Sequence, residues 1–509
     1  MRTTAKKRAA AQTGIALLAF ALLATGARVG MAASSDSKPA GKASPDRPAA
    51  PSAAKKAAWA SIDARADALV DLSRKVWSYA ETALKETKSA AALADYAESQ
   101  GMKVTRGVAG MPTAFVAEYG SGTPRIGILG EYDALPGVSQ KTTDKPEPLE
   151  AGAPGHGCGH NLFGAGSLGA ALAIKDAIAG GTLKGTIRFY GTPAEEAVGG
   201  KLYMVREGLF KDLDVALAWH PADKIEADTR SSQALVDLRI EFKGKAAHAA
   251  FDPWNGRSAL DGLENFTHAL NMMREHVRPS VRMHYVITDG GDVPNVVPAH
   301  AALWLWLRDT KRTGVEKLLD RVRDMVKGAA LSAGVEATLK VQSGDYEMLM
   351  NQRGARLLYS NLKQLPPLTF TADEQAFARA IQKSAGVDTA GLNTGIVPWP
   401  DRPEEPEGGS TDVGDVSWVV PIIHLEVTTA PAGAPWHAWP VVACGGMSIG
   451  QKGMLYASQA LAGTMVDLFE QPAERDAIRK EFEEETKGVT YKGFIPDGPP
   501  PLPPAVAAR

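Results

Sequence analysis

Seven residues, Gly155-His156-Gly157-Cys158-Gly159-His160-Asn161, constrain the possible folds of this chain more than any other stretch. Cys158 and His160 place two strong ligand types for a soft metal within three positions, which amounts to half of a metal site. Three other pieces look built to complete it. Pro193-Ala194-Glu195-Glu196 follows an apolar β-type run, Ala218-Trp219-His220-Pro221 ends another, and Pro435-Trp436-His437-Ala438-Trp439 lies far down the chain. Ligands drawn from four separated segments at the ends of strand-like runs suit an open catalytic site on an α/β scaffold, whereas a small zinc finger gathers its ligands locally.

The flanking patterns agree with such a scaffold. From Ala57 to Gln100, Trp59, Ile62, Ala66, Leu69, Val70 and Leu72, then Leu84 and Leu93, recur at helical spacing and predict two amphipathic helices. Strands are expected over Ala114–Tyr119, Arg125–Gly130, Gly185–Tyr190 and Val215–Trp219; the second delivers Glu131 and Asp133, the third the Glu pair, the fourth His220. Between them Ala165–Ala179 and Gly199–Gly208 read as helices. This alternation predicts a largely parallel sheet in a catalytic domain made of residues 57–230 and 345–487.

After Ser231 the character changes. Leu235–Phe242, Val281–Asp289, Ala301–Asp309 and Val335–Gln342 read as strands, and Leu260–His276 and Gly314–Gly334 carry helical patterns. The order β-α-β-β-α-β predicts an inserted lid or dimerisation domain over 231–344, with both helices on one face of an antiparallel sheet. Its unpaired edge is a natural subunit interface. The expected fold class is therefore α/β with two domains, the catalytic one built on a mixed sheet. Farther on, Asp373–Ser384 reads as a helix, Gly408–Trp418 as a conspicuous polar turn, Ile422–Thr428 as a strand, and Met454 to Glu485 as two helices. A Pro-rich irregular tail follows over 488–509.

At the N-terminus Arg2, Lys6, Lys7 and Arg8 precede the apolar run Ile15–Ala24 and then Met31-Ala32-Ala33, a signal-peptide pattern over 1–33. The run is shorter than the roughly 20 residues that a bilayer span needs, so export to the periplasm or beyond is expected, with no stable membrane anchor. Residues 34–56 read as a disordered linker. A net charge of −2 over 509 residues provides no basic footprint for nucleic acid and points to small molecules or copies of the chain as partners. In an oxidising compartment a disulfide is one reading of the two cysteines, Cys158 and Cys444. Metal ligation by Cys158, with Cys444 a small buried residue, is the other.

Adjacent carboxylates alone mean little: Glu404-Glu405 lies between prolines and Glu483-Glu484-Glu485 on a charged helix, and both read as solvated. Glu195-Glu196 differs because it sits at a strand end ahead of Gly199-Gly200, where one carboxylate can bind metal while its neighbour faces a bound water. Of the ten histidines, His268, His276, His284 and His300 fall in helix or strand patterns without nearby ligand partners and read as structural. His220 and His437 are better ligand candidates. His156 is open between a spare ligand and a loop-surface role, and His248 cannot be assigned from spacing.

The series Gly130-Glu131-Tyr132-Asp133-Ala134-Leu135-Pro136, Gly157-Cys158-Gly159-His160-Asn161, Glu195-Glu196, His220, Gly244-Lys245-Ala246-Ala247-His248-Ala249, Pro294-Asn295-Val296-Val297-Pro298 and His437 resembles the aminoacylase/carboxypeptidase G-type metallopeptidases. Gly409-Ser410-Thr411-Asp412-Val413-Gly414-Asp415 is similar to their amidohydrolase branch, which holds aminobenzoyl-glutamate hydrolase subunits and amino-acid-conjugate hydrolases. The resemblance implies that Cys158, His160, Glu196, His220 and His437 hold two divalent ions per subunit, zinc or manganese, with cobalt also acceptable. It implies Glu195 as general base toward a metal-activated water. His248 and Asn295 would then reach the active site of a partner subunit, His248 polarising the carbonyl and Asn295 holding the substrate, in a homodimer or a heterodimer with a related chain. The activity implied is hydrolysis of the amide bond in an N-acyl amino acid resembling aminobenzoyl-glutamate, with a dipeptidase or general aminoacylase as alternatives. A non-catalytic periplasmic binding protein is the rival, and it could dispense with Glu195 first. Where many relatives have a His two residues before the position of Asp133, this chain has Glu131. Orientation of ligands is the role expected for Glu131 and Asp133.

Overall fold

Strands that are apolar on both faces need cover on both sides, and four such runs form the parallel centre of the larger of two sheets. The computed structural model describes residues 50–401, 405–406 and 408–503. The expected signal peptide, and the expected linker up to residue 49, lie outside the described residues. The linker's last positions differ from expectation. Ser52 caps a helix over Ala53–Asp63, accepting from the Lys55 amide, and the Lys55 ammonium lies buried 2.7 Å from Asp467.

The described residues contain strands β1 Lys103–Arg106, β2 Phe115–Gly120, β3 Arg125–Gly130, β4 Thr186–Gly191, β5 Val215–Ala222, β6 Glu226–Ala227, β7 Ala234–Lys243, β8 Arg282–Asp289, β9 His300–Asp309, β10 Glu336–Ser343 and β11 Ile422–Thr428. The larger sheet runs β1-β2-β4-β3-β5-β11-β6. Its centre, β4-β3-β5-β11, is parallel, and antiparallel pairs flank it on both sides, so the sheet is mixed as expected. Because β4 lies on one side of β3 and β5 on the other, the strand order reverses at β3. A crevice opens at the carboxyl ends of the strands at such a point.

The residues expected to form two N-terminal helices form three, over Ala53–Asp63, Ala66–Tyr79 and Thr87–Ser99. The first expected helix is broken at Ala64 and Arg65, where Arg65 (φ −115°, ψ 14°) departs from helical backbone, a break that the spacing of apolar residues does not reveal. Strands β1 and β6 and the helix Gln352–Leu362 were also not anticipated; the strands have only four and two residues, too few to show a period.

The smaller sheet, β10-β7-β9-β8, is antiparallel throughout. Leu238, Ile240, Leu303, Leu305 and Leu307 belong to a core of its own, closed by helices Ala259–Met273 and Arg312–Ala333. Along β9 the alternation of side chains sends Leu303, Leu305 and Leu307 into that core and Trp304, Trp306 and Arg308 to the opposite face. The C-terminal residues, expected to be an irregular tail, are irregular but attached. Tyr491 and Ile495 pack on the core of the larger sheet and Phe494 on that of the smaller.

The helix His160–Ala179 covers β3 at close range. A Cβ on Gly164 would stand 2.6 Å from the Glu131 carbonyl oxygen, and one on Gly130 would stand 3.2 Å from Gly164 Cα. Gly164→Ala should therefore lower the thermal unfolding midpoint, because overpacking costs roughly 1–3 kcal/mol and exceeds the ~1 kcal/mol helix preference of Ala over Gly. Gly328→Ala, on the exposed face of the helix Arg312–Ala333 with nothing near its Cβ, should raise stability by up to ~1 kcal/mol. An unchanged midpoint for Gly164→Ala would show that the helix can ride off β3 freely.

Candidate metal centre

Each element that meets the crevice contributes one or two polar side chains. β3 ends at Gly130, and the turn beyond it buries Glu131 and Asp133. The glycines of the Cys/His stretch lead directly into a helix that starts at His160, five residues earlier than the Ala-rich pattern predicts. Gly159 has φ 80° and lies so close to Pro221 that a Cβ would approach its ring to 2.9 Å, so only glycine fits there. After β4, Ala194 at φ 61° turns the chain to present Glu195 and Glu196, and its amide is held by Glu86 Oε1 at 2.9 Å. His220 lies within β5 rather than after it. His437 also has a positive φ, 55°, and its amide donates to the Gly157 carbonyl at 3.0 Å. Two non-glycine residues held in a sparsely populated conformation at one locus mark where local strain of about 1–3 kcal/mol each is being tolerated.

The five expected ligands converge. Ligand atoms of Cys158, His160 and His220 all lie within 4.8 Å of one another, as do those of Cys158, Glu196 and His437, so Cys158 is common to both sets. Cys158 Sγ is 3.3 Å from His220 Nε2, and His437 Nε2 is 3.6 Å from Glu196 Oε2. The other nitrogen of each buried imidazole is already engaged: His160 Nδ1 lies 2.8 Å from Asp133 Oδ1, and His220 Nδ1 2.7 Å from the Pro221 carbonyl. An imidazole anchored this way presents its second nitrogen for ligation. Asp133 also accepts from the Glu196 amide at 2.9 Å and so touches two of the expected ligands.

The electrostatics fit a cation. Burial, and after it the charges of Glu131 and Glu196, push the Glu195 carboxyl well above the usual carboxylate range. Burial, with Asp133 and Glu131 adding to it against the pull of His160, raises Glu196 to about 7. His220 is pushed down to about 3 by burial and then by His160, which keeps it neutral, the form that binds a metal. For His160 burial opposes protonation, but Glu131, Cys158 and Asp133 outweigh it and hold its pKa well above the ordinary value. Glu131 Oε2, His160 Nε2 and Glu196 Oε1 are buried without a hydrogen-bond partner. Buried polar atoms without partners are costly, and a divalent ion would satisfy these. The donor set of thiolate, imidazole and carboxylate fits zinc and accommodates manganese or cobalt.

A cavity of about 810 Å³ is lined by Cys158, Glu195, Glu196, His220 and His437, and also by Trp306 and Arg308 of β9 in the smaller sheet. His248 and Asn295 do not line it. They neighbour one another in the loops that follow β7 and precede β9, where Ala249 N donates to Asn295 O at 3.0 Å, and His248 is exposed. His156 is not a surface residue, and it belongs to none of the clustered ligand sets among the described residues, although its Nδ1 is buried without a hydrogen bond. It is buried with Nε2 3.0 Å from the Val76 carbonyl, and burial holds it down to about 4. Both cysteines are free, which removes the disulfide reading, and Cys444 is fully buried as expected. Lys201, Asp412 and Glu86 were missed. Asp412 falls in the polar turn singled out from sequence, but Lys201 sits in an ordinary short helix with no local signal.

Residues 127–435 match peptidase family M20/M25/M40. The chain is 36% identical to a p-aminobenzoyl-glutamate hydrolase subunit of Escherichia coli (strain K12), over 87% of this chain and 97% of that one. It is 30% identical to Xaa-Arg dipeptidase of Homo sapiens, over 83% of this chain and 90% of that one. Among solved structures, a dinuclear metal-binding peptidase of the M20 family from Bacillus subtilis superposes with a TM-score of 0.55 at 18% identity, covering 80% of this chain and 99% of that one.

Because Cys158 belongs to both ligand sets, Cys158→Ala should lose both ions while His220→Ala and Glu196→Ala should each keep one. Metal content per folded chain, measured by mass spectrometry after dialysis, checks this. Two ions retained in Cys158→Ala would rule out a shared thiolate.

Proposed function

This chain belongs to peptidase family M20/M25/M40, whose members hydrolyse amide or peptide bonds, and we propose that its substrate is an N-acyl amino acid with an aromatic acyl group and a free carboxylate, as in aminobenzoyl-glutamate. The observation that carries this reading is the single cavity that Glu195 lines together with the expected ligands and with Trp306 and Arg308. Bound divalent ions would acidify the attacking water and polarise the amide carbonyl. Glu195 takes the proton from that water and returns it to the nitrogen that leaves, so one carboxylate serves as base and then as acid. Trp306 supplies a flat face for an aromatic acyl group, and Arg308, anchored to Ser410 Oγ at 2.6 Å, supplies charge for a carboxylate.

A second copy would complete the site. His248 Nδ1 accepts from the amides of Ala250 and Phe251 at 3.2 and 3.1 Å, so its proton resides on Nε2, which is free to donate to a carbonyl. β8 is an edge strand with Val286 and Ile287 exposed, which supports pairing between smaller sheets. The likeness to a chain named as a subunit keeps a related partner chain as the alternative to a second copy. A dipeptide with a basic end is the second substrate reading, favoured by the likeness to an Xaa-Arg dipeptidase and by Asp223 on the cavity wall.

Protein loaded separately with zinc, manganese and cobalt should release glutamate from aminobenzoyl-glutamate faster than it cleaves dipeptides. No turnover of any amide by metal-loaded protein would favour a binding protein instead. Glu195→Gln should keep its metal and lose turnover by something like 10²- to 10⁴-fold. Mixing Glu195→Gln with His248→Ala, each inactive alone, should restore activity toward about a quarter of the parent level under random subunit exchange, since half the dimers are mixed and each has one intact site. Mixtures that stay inactive despite proven exchange would show that His248 serves no partner site.

A further inference from the structure

We propose that Glu131 is itself a ligand of the metal centre, a third carboxylate beside Glu195 and Glu196, and that Lys201 exists to aim it. The proposal rests on the metal-centre reading above and adds a residue to it. The Glu131 side chain is 1% exposed, and its two oxygens are in different circumstances. Oε1 accepts from Lys201 Nζ at 2.6 Å, and the same ammonium, itself fully buried, donates to Asp412 Oδ1 at 2.6 Å. Oε2 has no hydrogen-bond partner, although it lies 3.0 Å from His160 Nε2, which has none either.

The two atoms meet as an ion pair with no hydrogen bond between them, buried in a dry interior, at a separation that a shared ion can span. The spacing agrees: donors about 2.0–2.1 Å from one ion, at angles between octahedral and tetrahedral, stand roughly 2.9–3.4 Å apart. Since Asp133 occupies His160 Nδ1, Nε2 is the only ring atom left to ligate. Glu195 joins Glu131 and His160 in a third set whose ligand atoms lie within 4.8 Å of one another, so the general base and Glu131 flank the same ion position. A further oxygen donor at the Cys158, His160 and His220 position makes that half of the centre harder and favours manganese or cobalt relative to zinc.

Metal dissociation constants by chelator competition for parent, Glu131→Gln, Lys201→Met and the double variant test this without recourse to activity. Glu131→Gln, whose amide oxygen can still accept from Lys201, should keep the ion of Cys158, Glu196 and His437 and bind the other more than about 100-fold more weakly, beyond the 10–100-fold typical of residues that only orient a ligand. Lys201→Met should fall within that smaller range, and the double variant should bind no better than Glu131→Gln. Cobalt-loaded Glu131→Gln should show a changed visible absorption spectrum, a readout available even where stability is reduced. Parent-like affinity and spectrum in Glu131→Gln would overturn the proposal. So would recovery of parent affinity in the double variant, which would make Glu131 merely the counter-charge of Lys201. A parent protein that binds no ion would overturn the metal-centre reading itself, a separate result.

Discussion

His160 meets Asp133 and Glu131 only because the helix it begins lies on β3 with no side chain between them. Gly164 sets that distance, since any Cβ there would strike the Glu131 carbonyl. Once the helix is seated, its first residue falls at the point where the strand order reverses, and the loops after β3 and β4 and the end of β5 converge on it. Helix and sheet packing therefore does at this site what a local ligand motif does in a small zinc domain.

Seating that many carboxylates in a dry crevice creates a charge problem. Glu131, Asp133, Glu195, Glu196 and Asp412 crowd together, and Lys201 is the buried ammonium between two of them. Burial lowers Lys201's tendency to hold its proton, but Asp412 and Glu131 reverse that and raise its pKa. What Lys201 and His160 do not neutralise is visible in the raised values of Glu195 and Glu196 and in Glu196 Oε1, which is buried without a hydrogen bond. A buried charge without a partner is unfavourable by several kcal/mol, so the arrangement is coherent as a cation-binding centre and incoherent as a packed core.

The smaller sheet enters this chemistry through a property of strands alone. Alternation along β9 gives one face to its own core and the other, Trp306 and Arg308, to the cavity. The loops beside the same sheet carry His248 and Asn295, which are exposed and do not line that cavity. One module thus faces two ways, toward the site of its own chain and toward solvent or a partner.

The amino-acid sequence alone determined the ligand types, the order of most strands and helices, the β-α-β-β-α-β unit and the placing of Glu195-Glu196 at a strand end, because each is written in local spacing and periodicity. Strand β11 was found at its expected ends and β3 likewise, since short apolar runs bounded by turn residues leave little choice of boundary. The third N-terminal helix, the start of the helix at His160 and the burial of His156 were not legible, because they depend on a backbone break at Arg65 or on packing against distant residues. Lys201 shows the limit most clearly. In sequence it is an ordinary lysine on a seven-residue helix; only the fold sets it between Glu131, 70 positions earlier, and Asp412, 211 positions later, and a charge acquires its meaning from the neighbours that tertiary structure brings to it.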